Sequence, residues 1–263
     1  MTENGAARTE ATAAGAPVQN GIMQQGALAL RPVAFAFRAV SLVLIAVGIV
    51  RITGIFGPDP SLSAFTFYTV LSNVLCLGWM LVLVVATSRD LVLRGPHGVS
   101  SPSASWSAAI MMAITITMLV YLVVLVPTSF VQGSDYVPFS LTDNLIHIVT
   151  PCLLIVDWLL FVPKGALRRA DPVRWLGFPL VYLVFAFIYG GLGGEFSPGQ
   201  RYPYPFLNVE AHGVGGVALW VVGLGIALTA VGYLYFWLDR ALAGRVRNSE
   251  ASRRSELGSE SVG

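Results

Sequence analysis

From Val33 onward, long apolar runs alternate with short breaks of polar residues, glycine and proline. Six runs, at roughly 33–54, 65–86, 107–127, 142–163, 175–193 and 214–238, approach the ~20 residues that a helix needs to cross about 30 Å of hydrocarbon. None shows the period-two alternation of a barrel strand, and in lipid only helices and closed barrels satisfy their own backbone. The pattern predicts an all-α polytopic membrane protein, a six-helix transmembrane bundle over residues 31–238.

The flanks read differently. Residues 1–30 are mostly Ala, Gly, Thr, Gln and Asn, too little apolar surface to offset chain entropy, and predict a disordered tail. No basic stretch precedes a short apolar core there, so a signal peptide is not expected. Residues 239–263 mix Arg, Ser and Glu without apolar periodicity and read as a second solvated tail.

Composition agrees with lipid as the solvent. Of 263 residues, 55% are hydrophobic and 11% charged, with a mean hydropathy of +0.71, whereas a soluble domain carries roughly 25% charged residues. A net charge of +2, without a basic stripe, excludes nucleic acid as a partner and leaves membrane lipids. Cys76 and Cys152 lie in apolar runs with no ligand spacing and read as small packing residues. Fifteen arginines against the single Lys164, with abundant Ala and Gly, suggest a high-GC bacterial genome and hence a plasma membrane.

Thirteen Lys and Arg fall in the two tails and in the breaks after the second and fourth runs, while the opposite breaks hold Arg201 alone. By the positive-inside rule both termini are cytoplasmic. Arg38 and Arg51 lie within the first run. Arg38 is expected to snorkel to the cytoplasmic surface, and Arg51 to the outer one or toward an anionic group there.

Against this apolar background the remaining polar residues stand out, because an ionisable side chain at mid-bilayer costs at least ~2.5–3.5 kcal/mol. In FTFYTVLSNVLCLGWM, residues Thr66, Thr69, Asn73 and Cys76 recur on one helical stripe. In LTDNLIHIVTPCLLIVDW, Asp143 and His147 stand four apart, so the carboxylate can orient the imidazole, and Asn144 shares their face. Pro151 predicts a kink relieved by Thr150, and Asp157 with Trp158 reads as a packing and interface anchor. Thr69 and His147 are expected at about 6–8 Å below the outer surface, where hydroxyl and imidazole meet. The break YGGLGGEFSPGQRYPYPFLNVEAHG is expected to tuck over the same end, adding Tyr189, Glu195, Tyr202, Tyr204, Glu210 and His212. His97, in LRGPHGVSS, reads as a surface residue.

A threonine hydroxyl attacks only when a base takes its proton, and a carboxylate-oriented histidine is the usual base. Asn73, Asn144 or a tyrosine of the 202–204 stretch would donate to the oxyanion. At these residues the chain resembles the androgen-induced and androgen-dependent TFPI-regulating family of multi-helix membrane proteins, which includes hydrolases of fatty acid esters of hydroxy fatty acids. The resemblance covers about residues 35–238. It rests on Thr69 in FTFYTVLSN, His147 in DNLIHIVTP with Pro151, and YPYPFL at 202–207. It implies Thr69 as nucleophile, His147 as base and a fatty acid ester as substrate, without cofactor or metal. Pro151 follows His147 by four residues where the animal members have five, and an Asp-Asn pair precedes the histidine.

Three other readings compete. Asp143 and His147 could carry protons in an ion-coupled transporter, although no inverted repeat relates the two halves. His147, Asp143, Glu210 and His212 could hold a metal, although no HExxH or histidine box is present. The third is a non-catalytic scaffold.

Overall fold

The computed structural model describes residues 23–127 and 138–260, with side chains described for 25–127 and 138–245. Six helices are long and apolar enough to cross a membrane: α1 (Arg31–Thr53), α2 (Tyr68–Arg94), α3 (Ala104–Leu125), α4 (Leu141–Phe161), α5 (Asp171–Gly191) and α6 (Val209–Arg245). Each span starts within about five residues of its sequence boundary, but α2 runs on to Arg94, past the expected 86, and α6 to Arg245, past the expected 238. The second helix starts at Tyr68, because residues Leu62–Thr66 form a 3-10 turn instead. The sixth run gains an extra first turn, set off from the span by Gly213, whose φ of 65° and ψ of 168° break the helix. Beyond Arg245 the backbone of α6 remains helical to Glu260, where the composition had predicted a tail.

α3 carries no charged residue and is the most enclosed span, with 67% of its central window buried, against 17% for α5 and 11% for α6. Its alanines and methionines meet Ile45 of α1, Met80 and Leu83 of α2 and Trp158 of α4 in one core. α5 and α6 turn Val181, Val184, Leu219 and Ile226 outward, as helices facing hydrocarbon do. They approach each other closely at one level, where a Cβ on Gly232 would stand 3.0 Å from Pro172 Cβ and 3.5 Å from the Trp175 ring.

The residues between helices gather at two ends. Residues 23–30, 95–103, 162–170 and 239–240 meet at one, here called the basic end. Residues 54–67, 138–140 and 192–208 meet at the other, the loop end. The tail expected to be disordered is folded over its described part: Met23–Gln24 and Ala27–Leu28 form a small hairpin, Ala27 is fully buried, and Gln25 carbonyl accepts from Lys164 N–H at 2.9 Å. Residues 1–22 lie outside the described residues.

Buried polar residues stitch the basic end together. Arg31, expected in the tail, is the first residue of α1 and is buried. Its guanidinium donates to the carbonyls of Arg94 (3.3 Å), Gly95 (2.7 Å) and His97, closing the C-terminus of α2, where cationic groups are favoured. His97 itself is exposed, as expected. Arg38 does not snorkel. It is fully buried and donates from Nε to Asp157 Oδ1 (2.7 Å) and from Nη1 to Thr87 Oγ1 (2.7 Å) and the Ser100 carbonyl (2.6 Å). A carboxylate within direct reach on α4 costs less than the water that the side chain would have to reach through packed helices. For the same reason Asp157 and Trp158 face the core rather than an interface, each 1% exposed.

Lys164 caps α4 by donating to the carbonyls of Trp158 (2.6 Å) and Val162 (2.5 Å), with its ammonium 4.7 Å from the Trp158 ring. Burial lowers its pKa to about 8 against the opposing pull of Asp239 and Asp157. Asp239 accepts from Gly165 N–H (2.9 Å) and Leu167 N–H (3.2 Å), tying α6 to the same turn. Of the two cysteines, both free, Cys76 is in the core, whereas Cys152 is exposed on the outer face of α4.

The Arg38–Asp157 pair makes a direct prediction. Arg38→Met strands a buried carboxylate and should lower stability by about 3–5 kcal/mol, whereas Arg38→Met with Asp157→Leu should recover most of the loss. Unfolding by SDS titration in mixed micelles measures both.

Candidate active site

The site begins with a proline. In α4, Leu145–Val149 takes a π-helical turn, with Thr150 N–H bonding back five residues to the Leu145 carbonyl and Thr150 Oγ1 donating to the same oxygen at 2.9 Å. In that register the next amide belongs to Pro151, which has no N–H, so the Ile146 carbonyl is left open. Asn73 of α2 closes it: Nδ2 donates to Ile146 O at 3.0 Å and to Thr69 O, one turn back in its own helix, at 2.8 Å. This clamp fixes the rotation and height of α2 against α4. π-turns of this kind recur at functional sites.

The clamp brings Thr69 Oγ1 to 3.4 Å from His147 Nε2. Nδ1, on the other side of the ring, lies 3.2 Å from the backbone carbonyl of Asp143. A carbonyl can only accept, so Nδ1 carries the proton and Nε2 presents its lone pair to the threonine. The expectation that the Asp143 carboxylate would orient the ring is thereby corrected. Oδ1 is 3.9 Å from Nδ1, and Oδ2 accepts from Ser140 Oγ at 2.7 Å, while Ser140 Oγ caps the helix by accepting from Asp143 N–H at 3.1 Å. The carboxylate is held in a reciprocal capping arrangement and acts on the imidazole through space.

Tyr121, which hydropathy alone reads as one more apolar position, completes the setting. α3 has its own π-turn at Tyr121–Leu125, and the phenol ring stacks on His147 with centroids 4.1 Å apart and planes 9° from parallel. The Tyr121 hydroxyl accepts from Phe139 N–H at 2.9 Å, anchoring the ring to the loop end. No periodicity argument marks Tyr121; the signal available was a tyrosine in a span otherwise free of ring hydroxyls.

Thr69 is the second residue of α2, so its N–H and that of Tyr68 belong to the first turn, whose amides have no intrahelical acceptor. The Tyr204 phenol lies against them. Burial pushes its pKa up, opposed by hydrogen bonding with Thr69, Tyr182 and the Tyr68 backbone. Phe67 packs edge-on against Tyr204 and Phe196, and Phe206 stacks on Tyr204, so the 192–208 segment does tuck over the bundle.

Other predicted residues are elsewhere. Thr66, in the 3-10 turn, donates to Ser63 O and leaves the helical stripe. Asn144 turns away to donate to Phe139 O at 2.9 Å. Asn73 has both amide hydrogens committed, to Thr69 O and Ile146 O, so it cannot donate to an oxyanion. Glu195, Glu210 and His212 are exposed; Glu195 accepts from Gly199 N–H at 3.1 Å. Arg51 donates to Thr142 Oγ1 at 3.1 Å. Among the described residues no three His, Cys, Asp or Glu side chains gather closely enough to share a metal ion, so the grouping of His147 and Asp143 with Glu210 and His212 does not form.

Thr69, Tyr182 and Tyr204 stand at the edge of an apolar pocket between α3, α5 and α6, with about 810 Å³ of empty space including its open mouth. No protein-family model, curated protein or solved structure matches the chain.

If the Asn73 clamp sets this geometry, Asn73→Ala should cost about 1–3 kcal/mol, the penalty for an unsatisfied buried carbonyl. Asn73→Asp, which replaces the donors with a charge, should cost more. Thermal unfolding followed by circular dichroism in detergent would rank the two.

Proposed function

We propose that the chain is an integral plasma-membrane protein, with both termini cytoplasmic and the loop end outside, that hydrolyses lipid esters through Thr69 and His147. The observation that carries this reading is the aligned series Asp143 carbonyl, His147 Nδ1–H, His147 Nε2 and Thr69 Oγ1 at 3.2 and 3.4 Å. The last contact is long for a neutral hydrogen bond but ordinary for a nucleophile and base without substrate. The basic residues at the opposite end support the orientation, and the resemblance to the androgen-induced family points to the same two side chains.

In the first half-reaction Thr69 Oγ1 attacks the ester carbonyl carbon as His147 Nε2 takes the hydroxyl proton. The carbonyl electron pair moves onto oxygen, where the Thr69 and Tyr68 amides at the helix N-terminus and the Tyr204 hydroxyl are the available donors. Collapse expels the alcohol, which leaves with the proton from Nε2, and the acyl group stays on Thr69. Water then attacks the acyl-threonine and gives its proton to Nε2. Collapse returns that proton to Oγ1 and frees the carboxylic acid. The transient imidazolium is stabilised by the Tyr121 ring face and by the Asp143 carboxylate 3.9 Å from Nδ1.

The test is labelling by a fluorophosphonate probe together with turnover of a long-chain ester by the purified protein. Thr69→Ala should abolish both, Thr69→Ser should keep labelling, and His147→Gln should slow turnover by about 10²–10⁴. Undiminished turnover in Thr69→Ala would overturn the reading.

A further inference from the structure

The surroundings of the pocket beside Thr69 decide which second reactant can approach that residue. At the loop end Phe206 and Leu207 line the pocket, both buried in one cluster with Val124 and Val217. That side is covered by packed side chains. Between α5 and α6 it is not. Leu180, which lines the pocket from α5, is 51% exposed. Leu176 and Gly225 line both the pocket and a shallow groove that includes Val222 and Ile226, exposed on the outward face of α6. From Thr69 the open path leads to the surface that faces hydrocarbon.

Along that path the other polar groups are engaged with the protein. The Tyr68 hydroxyl donates to Ala113 O at 3.1 Å, Thr117 Oγ1 pairs with Ser72 Oγ at 2.8 Å, and Tyr182 hydrogen-bonds with Tyr204. An enclosed water needs several polar partners at once, and here it meets few besides Thr69 itself. A lipid alcohol has the opposite requirement. Only its hydroxyl needs a polar contact, and its chain gains from apolar walls.

We propose that the Thr69–His147 site also transfers acyl groups, passing the acyl chain from Thr69 to the hydroxyl of a second lipid that enters from the bilayer between α5 and α6. It rests on the acyl-threonine of the hydrolase reading and names a second acceptor for that intermediate. The acceptor oxygen takes the place vacated by the leaving alcohol, within reach of His147 Nε2. It attacks the acyl carbon as Nε2 takes its proton. The bond from that carbon to Oγ1 then breaks, the proton passes from Nε2 to Oγ1, and a new lipid ester leaves. No water is consumed and no acid is formed. The step is the first half-reaction run backwards with a different alcohol, so a site that expels a lipid alcohol already accommodates one. One ester is exchanged for another, and no energy source is required.

The test uses the full-length protein in nanodiscs, with p-nitrophenyl decanoate as donor and tetradecanol in the bilayer as acceptor. Released p-nitrophenol reports acylation, and mass spectrometry measures tetradecyl decanoate against decanoic acid. The ester-to-acid ratio should rise in proportion to tetradecanol and exceed unity at about 10 mol%, because a membrane alcohol is concentrated where the site opens. Glycerol at the same bulk concentration, with no chain to hold it in the bilayer, should give almost no decanoyl ester. A Cβ on Gly225 meets no heavy atom within 4 Å, so Gly225→Phe is expected to fold and to narrow the opening. It should lower the ratio several-fold, a readout independent of how fast Thr69 is acylated. Acid as the sole product at every tetradecanol level, with turnover still abolished in Thr69→Ala, would overturn transfer and leave the hydrolase. An unchanged ratio in Gly225→Phe, or equal transfer to glycerol, would overturn entry from the bilayer between α5 and α6. Release of p-nitrophenol indifferent to Thr69→Ala would instead overturn the hydrolase reading itself.

Discussion

In α4 the residue after Thr150 is a proline, so one amide is missing from the helix where it is buried in the bundle. Much of the loop end follows from how that single vacancy is met. The helix widens into a π-turn, Thr150 doubles the bond to Leu145, and the carbonyl of Ile146 is met by Asn73 from the neighbouring span. Because Asn73 also holds the carbonyl of Thr69, one amide fixes both the helix that carries the hydroxyl and the helix that carries the imidazole. The reacting pair is thus positioned by satisfied backbone rather than by contacts of its own, which leaves Thr69 Oγ1 and His147 Nε2 free to change partners.

The same rule operates at the basic end with a different outcome. Arg31, Arg38, Asp157, Lys164 and Asp239 are all buried, yet each is matched to a carbonyl, an amide or an opposite charge. They join α1, α2, α4 and α6. At the loop end a pocket lies beside Thr69, Tyr182 and Tyr204.

How much of this could be read from the chain depends on what each residue's neighbours are. Hydropathy is a property of single segments, so the six spans and their approximate limits were legible, and so was the pairing of Thr69 with His147, which needs only a shared depth and two stripes. Arg38 with Asp157 was not, because a segment in isolation offers Arg38 the surface as its nearest escape, and only the packed bundle makes Asp157 closer than water. The role of Asp143 was misjudged for a related reason: the i, i+4 spacing brings its carboxylate near the ring, but Ser140 at the helix start competes for that carboxylate, and the backbone carbonyl takes its place. Tyr121 and the two π-turns depend on register across helices, which no single periodicity encodes. Glu210 and His212 were correctly placed at the loop end, but side of the bundle does not determine whether a side chain points inward.

The central claim is that Thr69 carries the acyl group between the two halves of the reaction. Acid-quenched protein, incubated with a decanoyl ester and digested, can be examined by peptide mass spectrometry. The account predicts a decanoyl adduct on the peptide containing Thr69, with fragment ions assigning it to that residue. An adduct on another side chain, or steady turnover with Thr69 never modified under conditions that trap the intermediate, would contradict it.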